Sequence, residues 1–104
     1  PKPTVTLSEV ADHIDHIRQV AGVNQVGIGS DFDGIPATPK GLEAVDRYPA
    51  LLEEMMRRGW SDADVAKLAG LNVLRVMEQT EQVAAKLQAA RPPSEALLKV
   101  EPRP

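Results

Sequence analysis

Two aspartates in the stretch "VGIGSDFDG", Val26 to Gly34, are the side chains of this sequence best suited to chemistry. Side chains alternate across a β-strand, so in a strand here Val26 and Ile28 would share one face, while the glycines and Asp31 would share the other. The pattern therefore predicts Asp31 at the carboxyl end of a strand, which is where α/β barrels hold their catalytic groups. A carboxylate in that place costs free energy unless it pairs with a cation, a metal or a substrate amine.

Both aspartates also suit turns, because an Asp side chain readily accepts hydrogen bonds from nearby backbone. For Asp33, which is followed by Gly34, the sequence favours this turn role. For Asp31 the residues alone leave the catalytic and the turn-capping interpretations open.

His13 and His16 lie three residues apart, close to Glu9, on a predicted helix, a spacing that could bind a metal. They border the polar side of an otherwise ordinary amphipathic helix, so we favour solvated or hydrogen-bonded histidines. The sequence thus assigns no metal ligand within this chain.

The elements that would position these residues are mostly helical. Apolar residues recur at the spacing typical of helices. Capping patterns at Thr6 and Ser61 mark the starts of two of these helices, and Gly22 marks the end of the first. The predicted order is helix Thr6–Gly22, strand Gln25–Ser30, loop Asp31–Arg47, helix Pro49–Arg58, a helix from Ser61, helix Asn72–Ala90 and a proline-punctuated tail from Arg91. We expect residues 1–90 to form one unit and 91–104 a loosely attached tail.

The single predicted strand needs partners, because a strand alone leaves its backbone donors and acceptors unpaired. Its partner strands must therefore lie on another chain or on further sequence. The order helix, strand, loop, helix is typical of one unit of an α/β protein. The sequence also begins Pro-Lys-Pro without a methionine, so we expect a processed or truncated product.

Composition excludes several classes of protein. At 104 residues the chain allows one small domain, and the net charge of −3 argues against a nucleic-acid surface. The chain has no cysteine, so disulfides and thiolate zinc sites are excluded, and a cytoplasmic location is expected. No run of about 20 apolar residues is present to form a membrane segment.

Two stretches carry a family resemblance: "HIDHIRQVAGVNQVGIGSDFDGI" from His13 and "YPALLEEMMRRGWSDADVAKLAGLNVLRV" from Tyr48. They resemble the C-terminal part of the membrane (renal) dipeptidase family of zinc metallopeptidases. The resemblance runs from about Val10 to Glu78, and its most specific pieces are "GIGSDFDG" and "GLNVLRV".

The resemblance implies an α/β fold, the (β/α)8 TIM barrel of a metal-dependent hydrolase. This chain would be its mostly helical C-terminal segment, with Gln25–Ser30 as the eighth barrel strand. The family cleaves dipeptides with two zinc ions bridged by a carboxylate and a water. Asp31 matches the family aspartate that faces this water and the substrate amino group, which implies a catalytic and substrate-binding role.

The resemblance also implies what this chain lacks. The family's zinc ligands and its substrate-binding arginine and histidine fall upstream of the matching segment, and none maps onto His13 or His16. We therefore expect the chain alone to be inactive, and to be stable through the missing N-terminal barrel portion or through self-association.

Two interpretations from other classes stay open at this stage. "DVAKLAGLNVLRVMEQ" has the spacing of a DNA-binding helix-turn-helix, but its second helix sets Glu78 and Glu81 against a single Arg75, which suits phosphate poorly. The other alternative is a helical interaction module that keeps the family sequence without its catalysis.

Overall fold

A computed structural model describes residues 4–103 of the chain. The helices are α1 (Leu7–Ala21), α2 (Tyr48–Arg57), α3 (Asp62–Ala66) and α4 (Asn72–Ala90), with 3₁₀ turns at Val23–Gln25, Phe32–Gly34 and Val45–Arg47 and a π turn at Lys67–Leu71. Residues 1–3 and 104, which begin and end the two predicted units, lie outside the described residues. The division at residue 90 stays a prediction, although α4 does end at Ala90.

The ends of α1 and α3 confirm the predicted caps. Thr6 Oγ1 accepts a hydrogen bond from the Glu9 backbone N–H at 3.3 Å, and Ser61 Oγ accepts one from that of Asp64 at 3.1 Å. Each bond satisfies a donor that the first helical turn leaves free. Gly22 follows α1 with φ of 98°, a left-handed conformation that glycine adopts without steric cost.

The core lies where α1, α2 and α3 meet the segment that follows α1. Its fully buried side chains Leu51 and Met55 come from α2, and Leu68 comes from the π turn. The buried apolar set is Ala11, Ile14, Val26, Leu42, Leu51, Met55, Trp60, Val65 and Leu68. Val26 is 4% exposed and Ile28 packs against this set, so the predicted packing face of the "VGIGS" segment is confirmed.

Arg58, just after α2, joins α2 to α1. Its guanidinium donates hydrogen bonds to three carboxylates and one carbonyl: Asp12 at 2.8 Å, Asp15 at 2.9 Å, Glu54 at 3.1 Å and the Ser8 carbonyl at 3.1 Å. The hydrogen bonds to Asp15 and then Asp12 raise the pKa of Arg58. The contact with Glu54 is local to the end of α2, and the other contacts reach α1.

Trp60 anchors the junction between α2 and α3. Its indole Nε1 donates to Asp15 at 2.8 Å, and the Arg18 guanidinium lies 4.5 Å from the ring centroid. Arg18 also pairs with Asp64 of α3 at 2.8 Å. Burial by itself would raise the pKa of Asp15, but the hydrogen bonds from Arg58 and Trp60 outweigh it and hold this pKa below its ordinary value.

The strand predicted over Gln25–Ser30 does not form within the described residues of this chain. Gln25 closes a 3₁₀ turn, and Val26 is extended (φ −122°, ψ 138°), but within residues 4–103 no other segment forms a ladder with residues 26–30. The one bridge among the described residues joins Thr6 to Lys40, far along the loop. A strand exists only as part of a ladder, and this chain brings no second strand to the segment.

No helix in the described part of the chain is long and apolar enough to cross a membrane.

Candidate active site

The backbone that leads to Asp31 is fastened to α4 by Asn72. This side chain is 5% exposed, and its amide nitrogen donates to the carbonyls of Val23 at 2.8 Å and Val26 at 2.9 Å. Arg75, one turn later, donates to the Asn24 carbonyl at 2.7 Å and to Asn72 Oδ1 at 3.1 Å. The sequence analysis did not predict this contact. An amide side chain at the start of a helix is one signal for it, because a polar group that becomes buried needs a hydrogen-bond partner.

Asp31 follows this fastened segment in an unusual backbone conformation. Its φ of 55° and ψ of 31° are left-handed, and it is the one non-glycine residue with positive φ in residues 4–103. Its carbonyl accepts a hydrogen bond from the Gly34 N–H at 2.8 Å, which closes the turn Phe32–Gly34. Aspartate tolerates this region better than most residues, yet such positions cost about 1–3 kcal/mol and cluster at functional sites.

The side chain of Asp31 is exposed and does not cap the turn that it begins. The turn is held by the Asp31 carbonyl, so the turn-capping interpretation of the carboxylate is wrong. The carboxylate instead folds over the Cα of Gly34: a Cβ built on Gly34 would lie 2.7 Å from Asp31 Oδ1. A carboxylate so placed is able to bind a cation or accept a proton.

Asp31 lines an open cleft of about 640 Å³ with two further carboxylates. Its walls are Ser30, Asp31, Phe32, Asp33, Glu43, Ala44 and Val45. The Glu43 carboxylate accepts a hydrogen bond from the Gly41 N–H, so it is held against its own loop. Asp33 lies inside the turn with its side chain exposed. The cleft is therefore acidic and suits a positively charged group.

Phe32 holds this loop against α2. Its ring centroid lies 5.7 Å from that of Tyr48, the first residue of α2, with the ring planes tilted by 40°. Phe32 is half-buried, and Ile28 and Leu51 lie with it around a small apolar cavity of about 180 Å³ behind the cleft. The apolar side of the loop is thus anchored, while its carboxylates face solvent.

His13 and His16 are exposed on α1. Within residues 4–103 no three side chains of the metal-binding types come close enough to hold an ion.

The chain is similar to a family of known proteins over most of its length. The model of the family described as "Membrane dipeptidase (Peptidase family M19)" matches residues 1–91. Since that match covers most of the chain, the chain belongs to the membrane dipeptidase family, as its sequence motifs predicted.

Two curated relatives are similar over most of this chain. "Dipeptidase verJ" of Clonostachys rogersoniana is 47% identical over 83 residues, which cover 80% of this chain and 21% of the relative. "Dipeptidase ataJ" of Aspergillus terreus (strain NIH 2624 / FGSC A1156) is 50% identical over 84 residues, which cover 81% of this chain and 20% of the relative. The chain therefore matches about a fifth of the length of these relatives.

The two alternative classes are not favoured by these findings. In the helix-turn-helix interpretation Arg75 would have to contact phosphate, but its guanidinium is bonded to the Asn24 carbonyl and to Asn72. The interaction-module interpretation gains no support from relatives that are named dipeptidases.

Proposed function

We propose that this chain supplies Asp31 to the active site of a metal-dependent dipeptidase. The observation that carries the proposal is the exposed carboxylate of Asp31, a residue whose backbone is left-handed. The turn after Asp31 is closed by its backbone carbonyl, so the carboxylate is not used as a cap. Membership of the membrane dipeptidase family supports the class of reaction.

The fold of the complete enzyme in this proposal is a (β/α)8 barrel, with residues 25–30 as its last strand. Two facts support this part. The apolar side chains of Val26 and Ile28 already pack beneath the helices, and the backbone from residue 27 to 30 has no ladder partner in the described part of the chain. In the barrel those groups pair with neighbouring strands, and Asp31 stands at the carboxyl end, where such barrels place their chemistry.

The role of Asp31 is to hold the α-ammonium group of a dipeptide. A carboxylate accepts short, charge-assisted hydrogen bonds from an ammonium, which fixes the N-terminal end of the substrate. The acidic cleft formed with Asp33 and Glu43 favours a cation in the same place. Once placed beside the scissile bond, the same carboxylate is able to accept a proton from an attacking water and pass it to the leaving amine.

The residues of this chain do not by themselves fit a zinc site. In residues 4–103 no group of three or more His, Cys, Asp or Glu side chains could hold a metal ion. In the complete enzyme, both zinc ions would therefore be held by ligands outside this chain. It follows that the 104-residue chain alone does not hydrolyse dipeptides, and that its partner is the rest of the barrel or a second copy of itself.

The test is hydrolysis of a set of dipeptides by the complete enzyme with Asp31→Asn. Asparagine keeps the shape of the side chain and tolerates the left-handed backbone, so the substitution removes the charge alone. We expect kcat/KM to fall by about 10²–10⁴-fold, the usual range for a group that transfers protons.

Asp46→Asn is the matched control, because Asp46 is an exposed aspartate in the turn before α2 and does not line the cleft. We expect it to stay within a few fold of the unmodified enzyme. Full activity of the Asp31→Asn enzyme, or equal losses in the two variants, would refute the assigned role.

A further inference from the structure

We propose that Gly34 is a positioning residue for Asp31: the space left by its missing side chain is the place that the Asp31 carboxylate occupies. The inference rests on the proposed role of Asp31 and extends it to a second residue. Gly34 itself touches no substrate in this proposal; it acts through the orientation of Asp31.

The carboxylate of Asp31 lies directly over Gly34. A Cβ built on Gly34 would lie 2.7 Å from Asp31 Oδ1, 3.1 Å from Cγ and 3.1 Å from Oδ2. These three atoms are the nearest ones that such a Cβ would meet, and all belong to one carboxylate. A methyl group at residue 34 would thus displace the carboxylate before it disturbed anything else.

The need for glycine at residue 34 is spatial and not conformational. The described glycines with positive φ are Gly22, Gly41 and Gly59, so the backbone of Gly34 is open to alanine. This separates Gly34 from the other turn glycines, where any side chain strains the backbone.

A methyl group at residue 34 would force the carboxylate of Asp31 to move. The backbones of the two residues are tied by the hydrogen bond from the Gly34 N–H to the Asp31 carbonyl at 2.8 Å, so the adjustment falls on the side chain of Asp31. The χ2 torsion of aspartate is broad and its χ1 torsion is staggered, so the carboxylate either rotates about χ2 or changes its χ1 rotamer. Both changes alter the direction of the carboxylate in the cleft, while the turn itself stays closed.

The first experiment measures hydrolysis of a dipeptide by the complete enzyme in four forms: unmodified, Gly34→Ala, Asp31→Gly and the double variant. Glycine at residue 31 removes the carboxylate and accepts the left-handed backbone. Misplacing a reacting group by about 1 Å costs up to roughly 100-fold in rate, so we expect Gly34→Ala to lower kcat/KM by about 10–100-fold. In the Asp31→Gly background the same substitution should have no further effect, because the group through which it acts is gone.

The second experiment observes the carboxylate directly in the 104-residue chain by NMR. We expect Gly34→Ala to move the ¹³Cγ resonance of Asp31 and the amide resonances of residues 31–34, and to leave those of α1 to α4 in place. Gly29→Ala is the control for this spectrum, since a Cβ at Gly29 meets nothing within 4 Å and its φ is not positive. It should leave the Asp31 resonance unchanged.

The outcomes separate the two proposals. If Asp31→Gly leaves activity intact, the role proposed for Asp31 fails. If Asp31→Gly abolishes activity but Gly34→Ala does not lower it, the positioning role alone is overturned. An equal loss from Gly34→Ala in both backgrounds would show a role independent of the carboxylate and would also overturn it. If Gly34→Ala unfolds the chain, restoration of folding in the double variant supports the steric coupling, and failure to restore it counts against the proposal.

Discussion

Replacing Asn72 with alanine should loosen the segment that carries Asp31. The side chain of Asn72 is the link between α4 and the backbone of residues 23–26, through hydrogen bonds of 2.8 Å to the Val23 carbonyl and 2.9 Å to the Val26 carbonyl. Asn72→Ala removes both donors and leaves the two carbonyl oxygens in place. The helix itself is preserved, because alanine is the best helix former.

The expected loss follows from the burial of these groups. A typical hydrogen bond contributes about 1 kcal/mol net, and a buried acceptor left unsatisfied costs about 1–3 kcal/mol. Val26 is 4% exposed, so water could not readily replace the hydrogen bond that its carbonyl loses. Val23 is half-buried, so water would reach its carbonyl more easily. We therefore expect Asn72→Ala to lower the free energy of unfolding by about 2–4 kcal/mol, a large part of the about 5–15 kcal/mol of a typical domain.

The assay is urea unfolding of the 104-residue chain, followed by circular dichroism at 222 nm. Asn24→Ala is the matched control: the side chain of Asn24 is exposed, and Arg75 bonds to its backbone carbonyl, which the substitution keeps. A surface change of this kind stays within about 0.5 kcal/mol. Hydrogen exchange of the amides in residues 23–30 gives a second, local measurement of the same link.

Equal unfolding free energies for Asn72→Ala and Asn24→Ala would refute the reasoning, because they would mean that the two buried hydrogen bonds contribute nothing. A loss confined to Asn72→Ala with unchanged exchange in residues 23–30 would show that Asn72 stabilises α4 and not the segment before Asp31.

Three further predictions concern other parts of the chain. The pKa of Asp15 is lower in the folded chain than in the unfolded chain, so ionised Asp15 stabilises the fold. This contribution to the free energy of unfolding should be complete above about pH 4 and be lost as the pH falls below that value towards the folded pKa. In a series of urea unfolding curves at different pH, Asp15→Asn should therefore reduce the fall of the unfolding free energy with acid (the acid limb). Met55→Ala should lower the free energy of unfolding by about 2–5 kcal/mol, since Met55 is 0% exposed, whereas Met56, 47% exposed, should tolerate the same change in the same thermal melt. The 104-residue chain, with its mass verified, should retain far less than one zinc ion after dialysis when measured by elemental analysis, because His13 and His16 lie in no cluster of ligands within the described residues.

Each of these has its own control and its own refutation. For the acid limb the control is Asp46→Asn, an exposed aspartate in the turn before α2, and an unchanged limb in Asp15→Asn would contradict the assignment. For the core, equal effects at the two methionines would mean that α2 does not bury the face described here. Near-stoichiometric zinc that is lost in a His13→Ala or His16→Ala variant would show a metal site on α1.

The helices could be predicted from the sequence because their signals are local. The caps at Thr6 and Ser61 and the stop at Gly22 all lie within four residues of the groups to which they are hydrogen-bonded. Burial is less readily predicted: Met56 and Ala69 are apolar residues of helical segments, and both are exposed. Apolar periodicity is read over several turns, and these residues lie at the edges of short elements where the buried face is narrow.

The contacts that build the site could not be predicted in the same way, because they join residues far apart in sequence. Asn72 and the Val26 carbonyl are 46 residues apart, and the contact of Arg58 with Asp15, which joins α2 to α1, likewise spans 43 residues. Residues 25–30 have the side-chain alternation of a strand, but a ladder needs a partner strand, which no local pattern supplies. The left-handed backbone of Asp31 could not be predicted from the sequence either. The sequence indicates that a turn begins at Asp31, but it does not indicate that the Asp31 carbonyl closes that turn.

Residues 27–30 have no ladder partner within the described residues, yet much of this segment is already ordered. Its front end is held by Asn72, its far end is closed by the turn after Asp31, and its apolar face is packed. Fixing the backbone of one residue costs about 1–2 kcal/mol of conformational entropy. For residues 27–30, the contacts of this chain offset part of that cost. In the proposed barrel, this segment would join the sheet with part of its ordering cost already met by contacts within this chain.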